Sequence, residues 1–188
     1  MRTEQKETDM LYSSKYESPI GNIILISDES SLLGLHLEGE RYFEESVTDE
    51  MQHDDEQPVI KMARAWLDDY FAGEQPGIAK LPLAPEGSAF RQQVWELLKE
   101  IPYGETTTYG KLAAETAKLM GKEKMSAQAV GGAVGHNPIS IIIPCHRVVG
   151  TNGSLTGYGG GIDKKIKLLE HEGVDMSAMF VPEKGTAL

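Results

Sequence analysis

Apolar and polar positions are patterned most clearly at the start of the chain. From Lys15 to Glu38 the runs SPIGNIILIS and SLLGLHLE are separated by the turn-like DES, and this predicts strands paired as a hairpin. The acidic stretch GERYFEESVTDEMQHDDEQ follows without a sustained period, which predicts a solvated loop or an exposed helix. In PVIKMARAWLDDYF, residues Ile60, Ala63, Trp66, Leu67 and Tyr70 recur at three- and four-residue spacing. That spacing predicts a helix from Pro58 to Phe71, stopping near Gly73. The next segment, AGEQPGIAKLPLAPEGS, is rich in Pro and Gly and reads as a linker.

Beyond the linker the pattern turns helical. Ser88 is placed to cap AFRQQVWELLKEI, whose Phe90, Val94, Leu97, Leu98 and Ile101 form one apolar face. Pro102-Tyr103-Gly104 ends it. TTTYGKLAAETAKLM and MSAQAVGGAVGHN, joined by GKEK, predict two short helices with a polar turn. This is a helix-turn-helix candidate, although ordinary helical hairpins share the pattern. ISIII reads as a short buried strand, and DKKIKLLEHEG as a last helix ending at Gly173. The expected units are residues 1–85, a β-sheet and helix domain with its linker; residues 86–174; and a tail, 175–188.

Composition adds bounds. A chain of 188 residues, 40% hydrophobic and 25% charged, fits one large globular domain or two small ones. No apolar run has the length of a membrane span, and MRTEQKETDMLYSS lacks the apolar core of a signal peptide. A single cysteine forms no internal disulfide, and no Cys/His spacing suits structural zinc. A cytoplasmic protein with a reduced thiol is expected. The net charge of −11 argues against a phosphate-backbone partner, until its distribution is considered. Residues 1–85 hold 18 acidic and 7 basic side chains, whereas residues 86–174 hold 9 and 10. Only the second half suits such a partner, and the acidic first half should face away from it.

The candidate chemistry lies in IIIPCHRVVG, residues 141–150. Pro144 biases Ile143 towards an extended conformation, so a strand is expected to run up to Cys145 and then turn. A nucleophilic cysteine needs a lowered pKa or an adjacent base. His146 is next in sequence, and Glu172 in LLEHEG is a candidate to orient it. From the residues alone a buried, inert cysteine remains an open alternative. For Tyr109 the alternative is an aromatic packed on the core.

FRQQVWELLKEIPYGETTTYGKLA, AQAVGGAVGHNPISIIIPCHRVVG and the run from Leu155 to Gly173, with GYGGG and LLEHEG, together resemble the O6-alkylguanine-DNA alkyltransferase family. SPIGNIILIS followed by LLGLHLE resembles its N-terminal domain. The resemblance implies an α+β (mixed α/β) chain. Its N-terminal part would be a small ribonuclease H-like sheet plus helix. Its C-terminal part would be mostly helical and winged helix-turn-helix-like, with a short strand carrying the cysteine. It further implies direct reversal of DNA damage. The thiol displaces the alkyl group from O6-alkylguanine, and from O4-alkylthymine, in an irreversible single event without metal or cofactor. The implied partner is double-stranded DNA bound through its minor groove by a monomer, nucleoid-associated in a bacterium.

By the same resemblance, Cys145 is the alkyl acceptor, His146 a base acting through a bridging water, and Glu172 its orienting group. Asn137 holds the turn before the active-site strand, and Tyr109 bonds the base and supplies a proton as guanine leaves. The flipped nucleotide would meet Tyr158, Gly159, Gly160 and Val148. The second helix of the helix-turn-helix would enter a groove only about 6 Å wide, with Ala127, Gln128, Ala129 and Gly131. Tight helix packing also selects Gly and Ala there. Two positions depart from the family pattern. Gln128 stands where an arginine often fills the base stack, and Gly159 where some members have serine. A non-catalytic lesion-binding protein of the same fold is the alternative, but such relatives replace the nucleophile.

Overall fold

Strand β1 (Tyr12–Ser18) turns sharply through Pro19 and Ile20 into β2 (Gly21–Ser27). Gly21, at φ 117°, takes the backbone angle that side chains disfavour. The predicted hairpin therefore becomes a meander, because SPIG is itself a turn and not the start of a strand. The DES turn leads to β3 (Leu32–Leu37) as expected, with Asp28 Oδ1 accepting from the Ser30 and Ser31 amides, each at 2.7 Å. The computed structural model describes residues 10–41, 48 and 50–183. Most of the acidic segment lies outside the described residues. Its far end is strand β4 (Gln52–His53), parallel to β1, so the sheet order is β3-β2-β1-β4. Its side chains stay in solvent, so its pairing left no apolar pattern to read.

Helix α1 (Pro58–Phe71) begins where Gln57 Oε1 accepts from the Ile60 amide at 2.9 Å. Its buried stripe of Ile60, Ala63, Trp66, Leu67 and Tyr70 packs on the sheet, as the spacing predicts. Three helices of the second half start at hydroxyl caps: α2 (Ala89–Lys99) at Ser88, α3 (Tyr109–Leu119) at Thr108 and α4 (Ala127–Gly135) at Ser126. The Trp95 indole donates to the Ala133 carbonyl at 2.9 Å, tying α2 to α4. Helix α5 (Ile162–His171) closes the order, and Gly173 follows at φ 74°. No helix among the described residues is long and apolar enough to cross a membrane.

The edge of β3 positions the site. Its first part is covered by the linker, where Leu32 exchanges main-chain bonds with Pro82 and Ala84 at 2.7 and 2.9 Å. Further along, Leu35 N–H donates to the Pro138 carbonyl at 2.9 Å and Ser140 N–H to the Leu35 carbonyl at 3.0 Å. An edge that would otherwise invite foreign strands is thereby occupied. The expected strand at ISIII is corrected here. Ile139 makes one parallel bridge to Leu35, and the chain then turns through Ile141, whose φ is 70°. Left-handed backbone at a β-branched residue costs about 1–3 kcal/mol, so local preference did not choose it. The short strand, β6 (Val148–Val149), comes just after the cysteine and pairs in parallel with β5 (Thr107–Thr108). One apolar core runs from Leu35 and Trp66 through Trp95 to Ile143 and Cys145.

Candidate active site

Asn137 is buried at the end of α4 and spans the turn that precedes the cysteine. Its Oδ1 accepts from the Ile139 amide at 3.0 Å, and its Nδ2 donates to the Ile143 carbonyl at 2.8 Å. These two bonds offset the strain at Ile141. Cys145, 5% exposed, opens a short 3-10 turn, Cys145–Arg147. Burial pushes its thiol up to about 11, with a hydrogen-bonding contact from Asn137 and the charge of Lys165 opposing that rise. The resting group is a thiol, so attack requires a base.

His146 is fully buried, and its Nε2 lies 2.6 Å from Glu172 Oε1. Burial lowers the imidazole pKa, and the Glu172 carboxylate opposes that shift without reversing it. The ring is neutral and carries its proton on Nε2 towards Glu172. Nδ1 is buried and takes no hydrogen bond from any protein group, so its lone pair is the basic site.

Glu172 is a hub. Besides His146, its oxygens accept from Arg147 Nε at 2.8 Å and Nη2 at 3.0 Å, from the Tyr70 hydroxyl at 2.8 Å and from the Gly104 amide at 3.2 Å. Burial opposes its ionisation, but the hydrogen bonds from His146 and Arg147, with the guanidinium charge, hold the carboxyl well below its usual range. With a neutral imidazole, the lasting countercharge is Arg147. That guanidinium also donates to the Ile101 carbonyl at 2.6 Å and stacks over Tyr103 at 5.6 Å. It braces the structure.

On the other side of the thiol, the Tyr109 hydroxyl donates to the Thr156 carbonyl at 3.0 Å. Burial first, and the Cys145 charge second, raise its pKa. Sequence reasoning missed Lys165. This fully buried lysine donates to the Val148 carbonyl at 2.5 Å and to the same Thr156 carbonyl at 2.9 Å. Burial pushes it down to about 8. The signal was present, since Lys165 lies between Ile162 and Leu168/Leu169 on the apolar stripe of α5. Tyr70 and Glu40 were also missed, and both come from the first half of the chain.

Tyr158 is buried, and its hydroxyl has no hydrogen-bond partner. Gly159 and Gly160 follow it. A Cβ on Gly160 would stand 2.8 Å from Leu37 Cδ1 and 2.9 Å from the Tyr158 ring, so packing by itself requires a glycine there. Ala127, Gln128 and Ala129 are exposed on the first turn of α4. Gly131 lies on the buried side of α4, and Val148 is 0% exposed within β6. At Gly132 and Gly135 an added Cβ would meet nothing within 4 Å. Internal packing therefore does not demand glycine at those two positions. Among the described residues no cluster of His, Cys, Asp or Glu could hold a metal ion.

This geometry has relatives. Residues 11–85 match the ribonuclease-like domain, and residues 89–174 the DNA-binding domain, of 6-O-methylguanine DNA methyltransferase. The chain is 44% identical to a methylated-DNA–protein-cysteine methyltransferase of Haemophilus influenzae, over 86% of each chain. It is 47% identical to that of Methanosarcina acetivorans, over 87% of this chain and 99% of the relative. The O6-methylguanine methyltransferase structure of Mycobacterium tuberculosis superposes with a TM-score of 0.73 at 40% identity, covering 93% of this chain and 97% of that one. The Mycobacterium tuberculosis protein solved in complex with DNA gives the same score over 86% and 92% of the two chains. With both domains matched and identity above 40% across most of its length, the chain belongs to the 6-O-methylguanine DNA methyltransferase family.

Proposed function

We propose that this chain repairs O6-alkylguanine in double-stranded DNA by moving the alkyl group, once and irreversibly, to Cys145. The observation that carries the reading is a buried thiol next to His146, whose Nε2–H is fixed on Glu172 and whose Nδ1 is left free of protein partners. His146 takes the thiol proton through a bridging water. Sγ attacks the alkyl carbon as the C–O6 bond breaks, and the electron pair leaves on guanine. Tyr109 rotates off the Thr156 carbonyl to protonate the leaving base, and the proton held by His146 restores the balance. The products are guanine and an S-alkyl thioether, so no cofactor enters. O4-alkylthymine presents the same alkyl carbon on oxygen.

Residues 86–174 form the catalytic and DNA-binding unit, and residues 1–85 buttress its turn at Ile139. The protein acts as a monomer in the cytoplasm, where the lone thiol stays reduced. Helix α4 enters the minor groove. The open space beside Gly132 and Gly135 keeps its outer surface flat, and Ala127 and Ala129 flank Gln128. Tyr158 and Gly159 border the extruded base.

The base role of His146 is tested by the pH dependence of single-turnover methyl transfer. Burial lowers the imidazole from its ordinary 6.5, so the rate should stay level down to that pH and fall below it. An acid limb centred above 6.5 would place the titrating group elsewhere. At alkaline pH, rates should climb only as the thiol approaches its own value of about 11.

Gln128 makes a second expectation. It fills the gap in the base stack without a charge, so Gln128→Arg should tighten DNA binding and steepen its log–log salt dependence by roughly one. Unchanged affinity and unchanged repair rate would show that this side chain does not enter the stack.

A further inference from the structure

Glu40 is an acidic residue of the first half that reaches the catalytic site, and no step above uses it. It follows β3, and its side chain is 7% exposed. Both oxygens are pinned. Oε1 accepts from Ser140 Oγ at 2.6 Å, and Oε2 accepts from the Leu37 amide at 2.9 Å. His36 Nδ1 lies 3.6 Å from Oε2. The neighbouring Arg41 amide donates to the Gly159 carbonyl at 3.1 Å. A Cβ on Gly159 would stand 3.5 Å from Glu40 Cγ and Oε1. The carboxylate therefore occupies the space beside Gly159 and bridges the turn before Cys145 to the segment after Tyr158.

In the proposed function Gly159 and the turn before Cys145 flank the reacting carbon, and Glu40 stands between those two segments, touching both; the rest of an alkyl chain leaves that carbon sideways to the line from Sγ to O6. A negative charge on the alkyl group meets a fixed negative charge there. Burial is the main cause that raises the pKa of Cys145 and of Tyr158, and the Glu40 charge adds to the rise at both. Lys165, the buried cation on the Tyr109 side, is already engaged by two carbonyls and is not free to compensate.

We infer that Glu40 is a specificity-determining residue, a fixed charge in the wall of the alkyl pocket that admits neutral O6-alkyl groups and rejects anionic ones. The inference rests on Cys145 being the alkyl acceptor. Its test compares two nearly isosteric adducts in the same duplex, O6-carbamoylmethylguanine and O6-carboxymethylguanine, with O6-methylguanine as control. Single-turnover transfer is followed by intact-protein mass. The unaltered chain should transfer the neutral group at least about tenfold faster than the anionic one. Glu40→Gln should bring the two within about threefold, and Glu38→Gln, an exposed neighbour, should leave the ratio alone.

Two results would overturn the inference. One is near-equal rates in the unaltered chain; the other is a ratio that persists in folded Glu40→Gln. Because removing the charge also eases thiol ionisation, Glu40→Gln should speed all three substrates somewhat, and only the ratio reports selectivity. A chain that failed on O6-methylguanine as well would overturn the underlying acceptor reading instead.

Discussion

Incubated with a duplex carrying O6-methylguanine, the chain gains the mass of one methyl group per molecule and then stops; Cys145→Ala gains none. The expected loss is complete. The thiol is the single cysteine of the sequence, and an alanine offers no atom to form the new bond. The stop follows from chemistry: a thioester would be open to water, but an S-alkyl thioether has no comparable exit. Lesion binding should survive in Cys145→Ala, because the exposed first turn of α4 and the Tyr158 segment are untouched. This separates transfer from recognition. Persistent binding of the lesion by the unaltered chain, with no mass gain, would sink the reading in favour of a lesion-binding protein. Cys145→Ser is a stricter variant. It keeps a nucleophilic atom, but a hydroxyl is far harder to ionise than a thiol already pushed to about 11 by burial.

How much of this was legible in the chain depended on whether the signal was local. The helices from Pro58 and Ala89 were readable because each buries one stripe of side chains and starts at its own cap. The turn at 138–143 was not. A short apolar run reads alike as a buried strand or a buried turn. What decided it was a pair of side-chain bonds from Asn137 across the turn together with a tertiary contact, the β3 edge accepting one bridge at Ile139. Strand β4 was missed because both its residues are exposed and polar. In the site, Cys145, His146 and Glu172 carried a motif, whereas Tyr70 lies 102 residues from its partner Glu172 and Glu40 lies 100 from Ser140. No sequence pattern joins such pairs. Lys165 could have been found, since a lysine on an apolar stripe asks for buried acceptors.

Glu172→Gln should damage chemistry and stability together while sparing DNA binding. Five donors from Tyr70, Gly104, His146 and Arg147 converge on a side chain that is fully buried. A glutamine keeps the shape but removes the charge, and it turns an NH2 group towards donors that need an acceptor. Arg147 is then a buried guanidinium without its counterion, at a cost of roughly 3–5 kcal/mol. His146 loses the carboxylate that fixes its proton on Nε2 and stabilises the imidazolium formed as it takes the thiol proton. On the order of 10²- to 10⁴-fold in transfer rate should go with it. Affinity for lesion DNA should stay within about threefold, because the expected groove contacts lie on α4. Stability adds a sign. Glu172 is ionised well below 4.5 in the folded chain but protonates near that value when unfolded, so its contribution is full above 4.5. It is lost as pH falls through the lower folded value. Urea melts at pH 7 should therefore separate the two proteins widely, and the gap should narrow on acidification. A variant that loses affinity as much as rate, measured where it remains folded, would show that Glu172 does not orient the base. Glu172→Asp, which restores the charge at a shorter reach, should recover stability and rate in part; a purely steric role would predict no such rescue.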